Sequence, residues 1–340
     1  MSRIEALNPV IRALNAQDGL LLRRFYLSLS GESLGFLPAQ NITLKSLEKL
    51  CIDGSRVHFG AMIRENGEER MIGYAYFEEW EHPVPKIVFA VADAYFNMGL
   101  GGKLAEFLKN YAQEAGKTAL RAEFVPTDIR VHRTLQHRGF THQGLALDGK
   151  FLFIHELNMQ HYENAQLLPP VEIKCTARSG EPYVIRSMRE DDGDALYDFF
   201  NSLGSKGRAY YCPHSTERDW LRDMCSKVRT VNSADRFVAE FVRDGKPMIG
   251  GYVFLSRVNQ PLMSLGIGVS EEFKGQGLGR ALLEYVQKRA MEYDRRALRL
   301  ITHPTNLAAQ KLYKSCGFVQ VGTAFNGEQL YMCDLSLLED

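Results

Sequence analysis

The chain carries one sequence pattern twice, and this internal repeat limits its fold more than any other feature. When residues 91–144 are compared with residues 269–322, without any gap, 16 of the 54 positions are identical. The beginnings of the two copies also match, because Val10-Ile11-Arg12 aligns with Val184-Ile185-Arg186. The period is far longer than the roughly 20–50 residues of a solenoid repeat. We therefore expect two copies of one domain.

The length of 340 residues also fits two domains of about 150 residues each. We expect a first domain over residues 1–157, a linker over 158–172 and a second domain over 173–340. The expected linker is mostly polar and contains Pro169-Pro170, a composition that is typical of an exposed connection.

Charge and cysteine content exclude several classes of protein. The 41 basic and 41 acidic residues balance, which argues against a nucleic-acid partner. We find neither an apolar run of about 20 residues nor a signal-peptide pattern, so we expect no membrane partner. The six cysteines lack metal-ligand spacing and suit a reducing compartment, so we expect a cytoplasmic protein without a metal.

Strands and helices alternate in each copy. In the second copy the patterns predict strands at 182–188, 236–243, 248–255, 263–270, 297–302, 318–323 and 329–335, and helices at 191–203, 215–227, 278–292 and 306–315. This alternation predicts an α/β (α+β) fold with helices on both faces of a sheet.

A glycine-rich turn joins a predicted strand to a predicted helix in the second copy. It reads Lys274-Gly275-Gln276-Gly277-Leu278-Gly279-Arg280. Glycines expose backbone N–H groups at a helix N-terminus, where a phosphate can bind. The turn lacks the pattern of a Walker A loop, and Leu282 prevents a match to the dinucleotide pattern. A tight turn whose glycines serve packing alone is the alternative.

A second motif follows this turn, N-x-x-A-x-x-x-Y-x-x-x-G-F over residues 306–318. Together with the K-x-x-G-x-G turn it closely resembles the GNAT acetyltransferases. The resemblance implies two GNAT-like domains, each with a mixed, splayed central sheet flanked by helices. It implies acetyl-CoA as the donor, and a small-molecule amine or a protein lysine as the acceptor.

The resemblance also implies roles for particular residues. The pantetheine arm of acetyl-CoA would pair with the backbone from Ile267 to Val269, and Asn306 would hydrogen-bond the arm. Tyr313 would protonate the leaving thiolate, and a backbone N–H near Val269 would hold the oxyanion. The pyrophosphate would lie on the glycine-rich turn; the residues implied to bind the cofactor are Ile267, Val269, Lys274, Gly275, Gln276, Gly277, Leu278, Gly279, Arg280 and Asn306.

The general base and the acceptor site stay open at this point. Glu240, His303 and Glu328 lie on or beside predicted central strands, and each is a candidate base, as is a chain of water molecules. Tyr211 and His214 belong to an aromatic cluster, and the resemblance implies that the segment carrying this cluster covers the acceptor site. An ordinary loop with partly buried rings is the alternative for that cluster.

The first copy is degenerate at the equivalent positions. Phe96 replaces Lys274, Asp128 replaces Asn306 and Leu135 replaces Tyr313. Because leucine cannot protonate a thiolate, we expect this copy to be catalytically silent. The sequence thus favours an N-acetyltransferase whose C-terminal domain catalyses direct attack of a primary amine on acetyl-CoA. The alternative is a non-catalytic acyl-CoA-binding sensor or scaffold.

Overall fold

The chain divides into two compact units, Met1–Leu157 and Asn158–Asp340, each of which is considered by itself. The computed structural model describes residues 4, 7–35, 37, 41–53, 57–211, 213–229 and 234–338.

The amino-terminal unit contains one mixed sheet in the order β1-β2-β3-β4-β5-β7-β6. Its strands are β1 (Val10–Ala13), β2 (Val57–Glu65), β3 (Glu68–Glu78), β4 (Lys86–Val91), β5 (Ala119–Phe124), β6 (Thr141–Ala146) and β7 (Phe151–Glu156). Its helices are α1 (Gly19–Leu27), α2 (Gly31–Gly35), α3 (Leu44–Leu50), α4 (Leu100–Glu114) and α5 (Ile129–His137).

The carboxy-terminal unit repeats this order with one extra strand, as β8-β9-β10-β11-β12-β13-β15-β14. Its strands are β8 (Glu172–Thr176), β9 (Pro182–Ser187), β10 (Ala234–Arg243), β11 (Lys246–Ser256), β12 (Met263–Val269), β13 (Ala297–Thr302), β14 (Phe318–Ala324) and β15 (Gln329–Asp334). Its helices are α6 (Met159–Tyr162), α7 (Gly193–Ser202), α8 (Gly204–Tyr210), α9 (Arg218–Ser226), α10 (Leu278–Glu292) and α11 (Leu307–Ser315).

Helices cover both faces of each sheet, so the predicted fold class is confirmed. In the carboxy-terminal unit, α10 and α11 pack on one face in a core that includes Leu282, Val286 and Tyr331. Helices α7 and α9 pack on the other face in a separate core around Phe200 and Leu221. The apolar side chains on both faces remove the strands from water, and this burial is the main source of stability.

The central parallel strands separate soon after they begin to pair. Among the described residues, β12 pairs with β13 at only two positions, Met263 with Leu298 and Ser264 with Arg299. The amino-terminal unit repeats this geometry, since β4 and β5 pair in parallel only where β4 begins. Each unit therefore contains a gap between two parallel strands, with a crossover helix beside it.

More than half of residues 158–172 are exposed, and a few of their apolar side chains pack on the carboxy-terminal unit. Leu167, Leu168 and Val171 contact its core. The Leu168 N–H donates to the Tyr293 hydroxyl at 3.0 Å, and the Arg289 guanidinium donates to the Pro169 carbonyl at 2.8 Å. The polar composition of the segment concealed the apolar side chains that anchor it.

A bidentate ion pair joins β1 in one unit, and β9 in the other, to the turn before the first long helix of that unit. Arg12 donates two hydrogen bonds of 2.8 Å to the Asp18 carboxylate. Arg186 and Asp192 form the same pair at 2.6 and 2.7 Å. Arg12 holds the pKa of Asp18 below its usual value.

Two glycines allow helices to pack closely. A Cβ on Gly193, at the start of α7, would lie 2.7 Å from the Cα atom of Arg222 on α9. A Cβ on the equivalent Gly19 of α1 would lie 2.6 Å from the Cγ atom and 3.1 Å from the backbone nitrogen of Glu48 on α3. Each unit therefore needs a residue without a side chain at this position.

We expect Gly193→Ala to lower the free energy of unfolding by roughly 1–3 kcal/mol, because the methyl group overlaps backbone that can shift only with the whole helix. Chemical denaturation measures the change. Gly31→Ala is the control, since a Cβ there meets nothing within 4 Å. Equal stability of the two variants would contradict this account of the packing.

We expect Asp18→Asn to lower stability at neutral pH by about 1–2 kcal/mol and to reduce the loss of stability in acid. The folded pKa of Asp18 lies below its unfolded value, so its contribution is complete above the unfolded pKa and is lost as pH falls through the folded pKa. Unfolding measured from pH 7 to pH 2 tests this. The wild type and the variant should converge at the acidic end, and parallel curves would contradict the prediction.

Candidate active site

The glycine-rich turn forms an array of backbone donors at the start of α10. Gly275 and Gly277 adopt φ angles of 75° and 89°, a left-handed conformation that costs glycine little. Gly277 is the N-cap residue of the fifteen-residue helix α10. The first N–H groups of a helix lack partners within the helix, and its dipole favours an anion there. Leu278 is buried and anchors the turn, so its contribution to such a site is its backbone.

A neighbouring turn adds a cation that the sequence reasoning missed. The Arg178 N–H donates to the Gln276 carbonyl at 3.1 Å, and the Ser179 hydroxyl donates to the Gln276 side chain at 2.9 Å. The Arg178 side chain lies along Gly277, with its Nε 3.4 Å from where a Cβ would stand. The turn between β8 and β9 therefore brings a guanidinium beside the helix N-terminus.

Two further cations flank the same turn. Lys274 pairs with the carboxylate of Glu271. Arg280 donates to the Ser315 hydroxyl at 2.7 Å and lies 3.3 Å from Glu284. Both cations are partly exposed, so they remain accessible to a phosphate group.

The edge of β12 faces the gap between the parallel strands. Ile267 and Val269 pair with β11 on one side, and their side chains pack on the core beneath α10. Gly268 lies on the opposite face, since successive strand residues alternate. The backbone on the gap side is available to an extended ligand that carries amide groups, in the manner of an added strand.

Asn306 and Tyr313 lie at the start and in the last turn of α11. The Asn306 side-chain oxygen accepts the Ala309 N–H at 3.3 Å, so its amide N–H₂ remains as a donor. Tyr313 is buried, with 6% of its surface exposed. Burial, followed by the nearby Tyr331, raises the pKa of Tyr313 above the ordinary value of a phenol. Its hydroxyl therefore stays protonated at neutral pH.

Tyr211, just after α8, lies against β12, one of the two strands that border the gap. The Tyr211 ring packs on Gly268, where a Cβ would lie 2.6 Å from it. The Tyr211 hydroxyl is buried and, within the described ranges, has no hydrogen-bond partner. Burial raises the pKa of Tyr211 well above its usual value, and Coulomb interactions with Tyr252 and Tyr313 raise it further.

Tyr210 spans the gap at its open end. Its hydroxyl lies 2.8 Å from the Thr305 hydroxyl, and its ring lies 5.2 Å from that of His303. The Thr305 hydroxyl also contacts His303 Nδ1 at 2.9 Å. Of the three candidate bases, His303 is therefore the one that lies beside the end of α8 and the start of α11.

Glu240 and Glu328 are engaged elsewhere. Glu240 lies on β10, two strands from β12, and its carboxylate accepts a 3.0 Å hydrogen bond from Arg186 Nε. Glu328 lies at the turn between β14 and β15, where its N–H donates to the Asn326 side chain at 3.1 Å. These contacts hold the Glu240 carboxylate in an ion pair and the Glu328 backbone in a turn.

His214 belongs to the aromatic core beneath α7 and α9. Its ring stacks on Trp220 at 4.8 Å, and its Nε2 lies 3.3 Å from the Tyr252 hydroxyl. Burial lowers the pKa of His214, so the neutral ring is favoured. Tyr252 links this core to Tyr211.

The comparisons with known proteins agree with this architecture. The model of the Acetyltransferase (GNAT) family matches residues 26–140 and 196–318, once in each unit. The chain belongs to the GNAT family. No curated protein shows significant sequence similarity to it.

Solved structures similar to this GNAT chain each cover about half of it. The GNAT domain of S. lividans PAT is 18% identical, with a TM-score of 0.42 over 48% of this chain and 96% of its own. Ribosomal-protein-S5-alanine acetyltransferase from Vibrio fischeri is 15% identical, with a TM-score of 0.41 over 48% and 96%. PaiA N-acetyltransferase from Thermoplasma acidophilum, in complex with coenzyme A, is 15% identical, with a TM-score of 0.37 over 44% and 97%.

The part of this GNAT chain that the structure describes contains no helix that is both long and apolar enough to cross a membrane. In the same ranges, no group of three or more His, Cys, Asp and Glu side chains is arranged to hold a metal ion.

We expect Arg178→Ala to raise the Kd for CoA about tenfold, the effect of losing one charge-assisted contact worth about 1.4 kcal/mol. The loss should shrink as salt increases. Titration calorimetry at two salt concentrations measures it. Lys288→Ala is the matched control, since Lys288 is exposed on α10 about 15 Å beyond the helix start. An equal effect of both variants would contradict a role for Arg178 at the turn.

Proposed function

We propose that the chain is an acetyl-CoA-dependent N-acetyltransferase whose active site lies in the carboxy-terminal GNAT unit. The observation that carries the proposal is the buried Tyr313 phenol on α11, the helix that follows β13, together with the intact glycine-rich turn that follows β12. Family membership supports acyl transfer in general. The acceptor is a primary amine, on a small molecule or a protein lysine.

Successive residues along the gap suit the pyrophosphate, the pantetheine arm and the thioester of acetyl-CoA, in that order. The donor array at Gln276–Arg280, with Lys274 and Arg178, suits the pyrophosphate. The β12 edge from Ile267 to Val269 and the Asn306 amide suit the pantetheine amides. Acetyl-CoA would supply an activated thioester carbonyl at the inner end of this path.

Tyr313 acts as the general acid in this proposal. The amine nitrogen attacks the thioester carbonyl, the new nitrogen–carbon bond forms and the carbon–sulfur bond breaks. Tyr313 gives its proton to the departing sulfur, and a backbone N–H near Val269 faces the negative charge on the carbonyl oxygen. The phenol carries its proton before the transfer, while the raised pKa also makes it a weaker acid than an exposed phenol.

The amine must lose a proton, and His303 is the base that the contacts favour. Thr305 contacts His303 Nδ1 through both its hydroxyl and its backbone N–H, and these contacts hold the ring beside the start of α11. Glu240 is bound in an ion pair with Arg186, and its strand β10 lies two strands from β12. Tyr211 would contact the acceptor side of the acetyl group, and His214 would support it from the aromatic core through Tyr252.

Non-catalytic acyl-CoA binding is the competing function for this unit. A binding protein has no use for a leaving-group acid, and Tyr313 therefore favours the enzyme. Turnover separates the two functions directly.

We expect Tyr313→Phe to lower kcat by about 10²-fold and to leave the Kd for CoA unchanged, because the hydroxyl acts only when sulfur departs. Thiol release with a panel of primary amines measures kcat, and calorimetry measures Kd. Tyr285→Phe is the matched control, since it removes another buried hydroxyl, on α10.

Full turnover by Tyr313→Phe would rule out the acid role. If the wild type bound CoA but released no thiol with any amine of the panel, the proposed function would be wrong and the binding function would replace it.

A further inference from the structure

A cavity of about 430 Å³ opens in the amino-terminal unit where its two central parallel strands separate. Its walls are formed by β4 from Ile87 to Val91, β5 from Ala122 to Val125, the turn before α4, and α5. The volume lies within the range of about 300–1,000 Å³ that is typical of ligand pockets. The chemistry of these walls indicates what the cavity can hold.

Two strand edges border this cavity. Within the described residues, β4 and β5 pair with each other only at Lys86–Arg121 and Ile87–Ala122. Beyond these positions β4 pairs with β3, and β5 pairs with β7, on their outer sides. Each inner edge therefore presents backbone N–H and C=O groups to the cavity, and buried backbone groups require partners. A ligand that satisfies both edges has to carry donors and acceptors on both of its sides.

An extended peptide is the ligand whose backbone meets this requirement. The N–H and C=O groups of a strand point alternately to its two sides, so one strand can pair with two neighbours. Strand addition is a recurring mode of peptide recognition, in which main-chain hydrogen bonds supply affinity. At about 3.3 Å per residue, the edge of β4 from Val88 to Val91 matches a ligand segment of about three or four residues.

The side chains around the cavity are apolar on both faces of the sheet. Leu135 belongs to the core beneath α4, and Phe89 and Val91 pack against that core. Leu37 belongs to the core beneath α1, and Ala90 packs against that core. Because successive side chains of a strand point to opposite faces, an inserted peptide meets apolar surface with every residue. The ligand segment is therefore apolar throughout.

The turn at the end of β4 presents backbone N–H groups that suit a carboxylate. Asn97 and Gly99 adopt left-handed φ angles of 59° and 97°. Gly99 is the N-cap of the fifteen-residue helix α4, whose first N–H groups lack partners within the helix. These groups and the helix dipole favour an anion, and backbone sites of this kind capture the carboxylate at the end of a peptide.

The lining carries one positive charge in excess, which a single carboxylate balances. Its charged residues are Glu123, Asp128, Arg130 and Arg133. Glu123 is paired outside the lining, because its carboxylate lies 3.2 Å from Arg121 Nε. Arg130 lies 3.5 Å from the Asp128 carboxylate, so Arg133 supplies the excess charge. This balance fits one carboxylate better than a diphosphate.

A cation also reaches the turn itself. Phe96 stands in place of Lys274 of the second copy, and the Arg130 guanidinium from α5 lies over the Phe96 ring at 4.2 Å. Arg130 is therefore positioned beside the N–H groups of the turn.

We propose that this cavity binds the end of an extended apolar peptide, with the terminal carboxylate of the peptide at the turn before α4. The peptide lies between β4 and β5 and runs parallel to both. Leu37 and Leu135 contact its side chains on opposite faces, and Arg130 and Arg133 attract its carboxylate. The site does not depend on the activity proposed for the carboxy-terminal unit.

Fluorescence anisotropy of the full chain with a labelled hexapeptide, Gly-Ser-Lys-Val-Ile-Val, tests the proposal. We expect the free-acid peptide to bind, and the same peptide with a terminal amide to bind at least about tenfold more weakly, because a charge-assisted contact is lost. N-methylation of the last two peptide nitrogens should also weaken binding at least about tenfold, because donors to the strand edges are removed. Excess CoA should leave the peptide bound.

Variants of the lining locate the binding site. Arg130→Glu should weaken binding of the free-acid peptide at least about tenfold, because a repulsive charge replaces an attractive one. Arg64→Glu is the matched control, since Arg64 is exposed on β2 and lies outside the lining. Leu37→Trp should abolish binding, because the indole ring fills the space between the strands. Thermal melting verifies that each variant is folded.

Four results would each overturn the proposal. They are no binding of the free-acid peptide at up to about 1 mM, equal affinity for the acid and the amide, equal effects of Arg130→Glu and Arg64→Glu, and displacement of the peptide by CoA. Displacement would assign the cavity to a nucleotide instead of a peptide. Thiol release by the wild type, measured in parallel, bears on the proposed catalytic function alone, so the two proposals can fail separately.

Discussion

The early separation of two parallel strands is the constraint on which the candidate chemistry depends. A sheet that paired β12 with β13 along their full length would consume the backbone groups of Ile267–Val269 internally. Because pairing stops after Ser264, an edge remains inside the unit and the start of α10 lies beside it. Tyr211, just after α8, packs on β12 at Gly268, and α11, which carries Tyr313, follows β13. The backbone thus supplies hydrogen-bond donors for a ligand. Side chains on or beside α8, α10 and α11 supply the groups that could react with it.

The two units share their scaffold and differ in this gap. The Arg12–Asp18 and Arg186–Asp192 pairs, the close approaches at Gly19 and Gly193, and a β-bulge after Ala61 and after Ala239 all recur at equivalent positions. These features serve packing, and a change in either unit would cost stability regardless of function. Residues that line the gap do not take part in this packing. A copy can therefore change them, as Leu135 replaces Tyr313 in the first copy, and still fold.

Local sequence patterns predicted most elements of the fold and the glycine-rich turn, because both depend on neighbouring residues, but they did not predict β8 or α8. Gln276 meets Ser179 across 97 positions, and Tyr210 meets Thr305 across 95. No periodicity in one sequence reveals contacts at such separations, so Arg178 was missed as a cation at the turn. The packing of residues 158–172 was missed for a related reason, since a few apolar side chains in a polar segment decide it. The roles of Asn306 and Tyr313 came from family resemblance, and they remain predictions.

Tyr211 packs on Gly268 in the carboxy-terminal unit, and the first copy has Leu37 and Ala90 at the corresponding positions. In the carboxy-terminal unit a large ring at Tyr211 requires the absence of a side chain at Gly268, since a Cβ there would lie 2.6 Å from the ring. In the amino-terminal unit Ala90 has a Cβ and Leu37 has no ring, so the two remain compatible. Changing only one member in the carboxy-terminal unit would either create overlap or leave a void. Tyr211 and Gly268 are therefore coupled through their packing, and neither can change alone without a cost in stability.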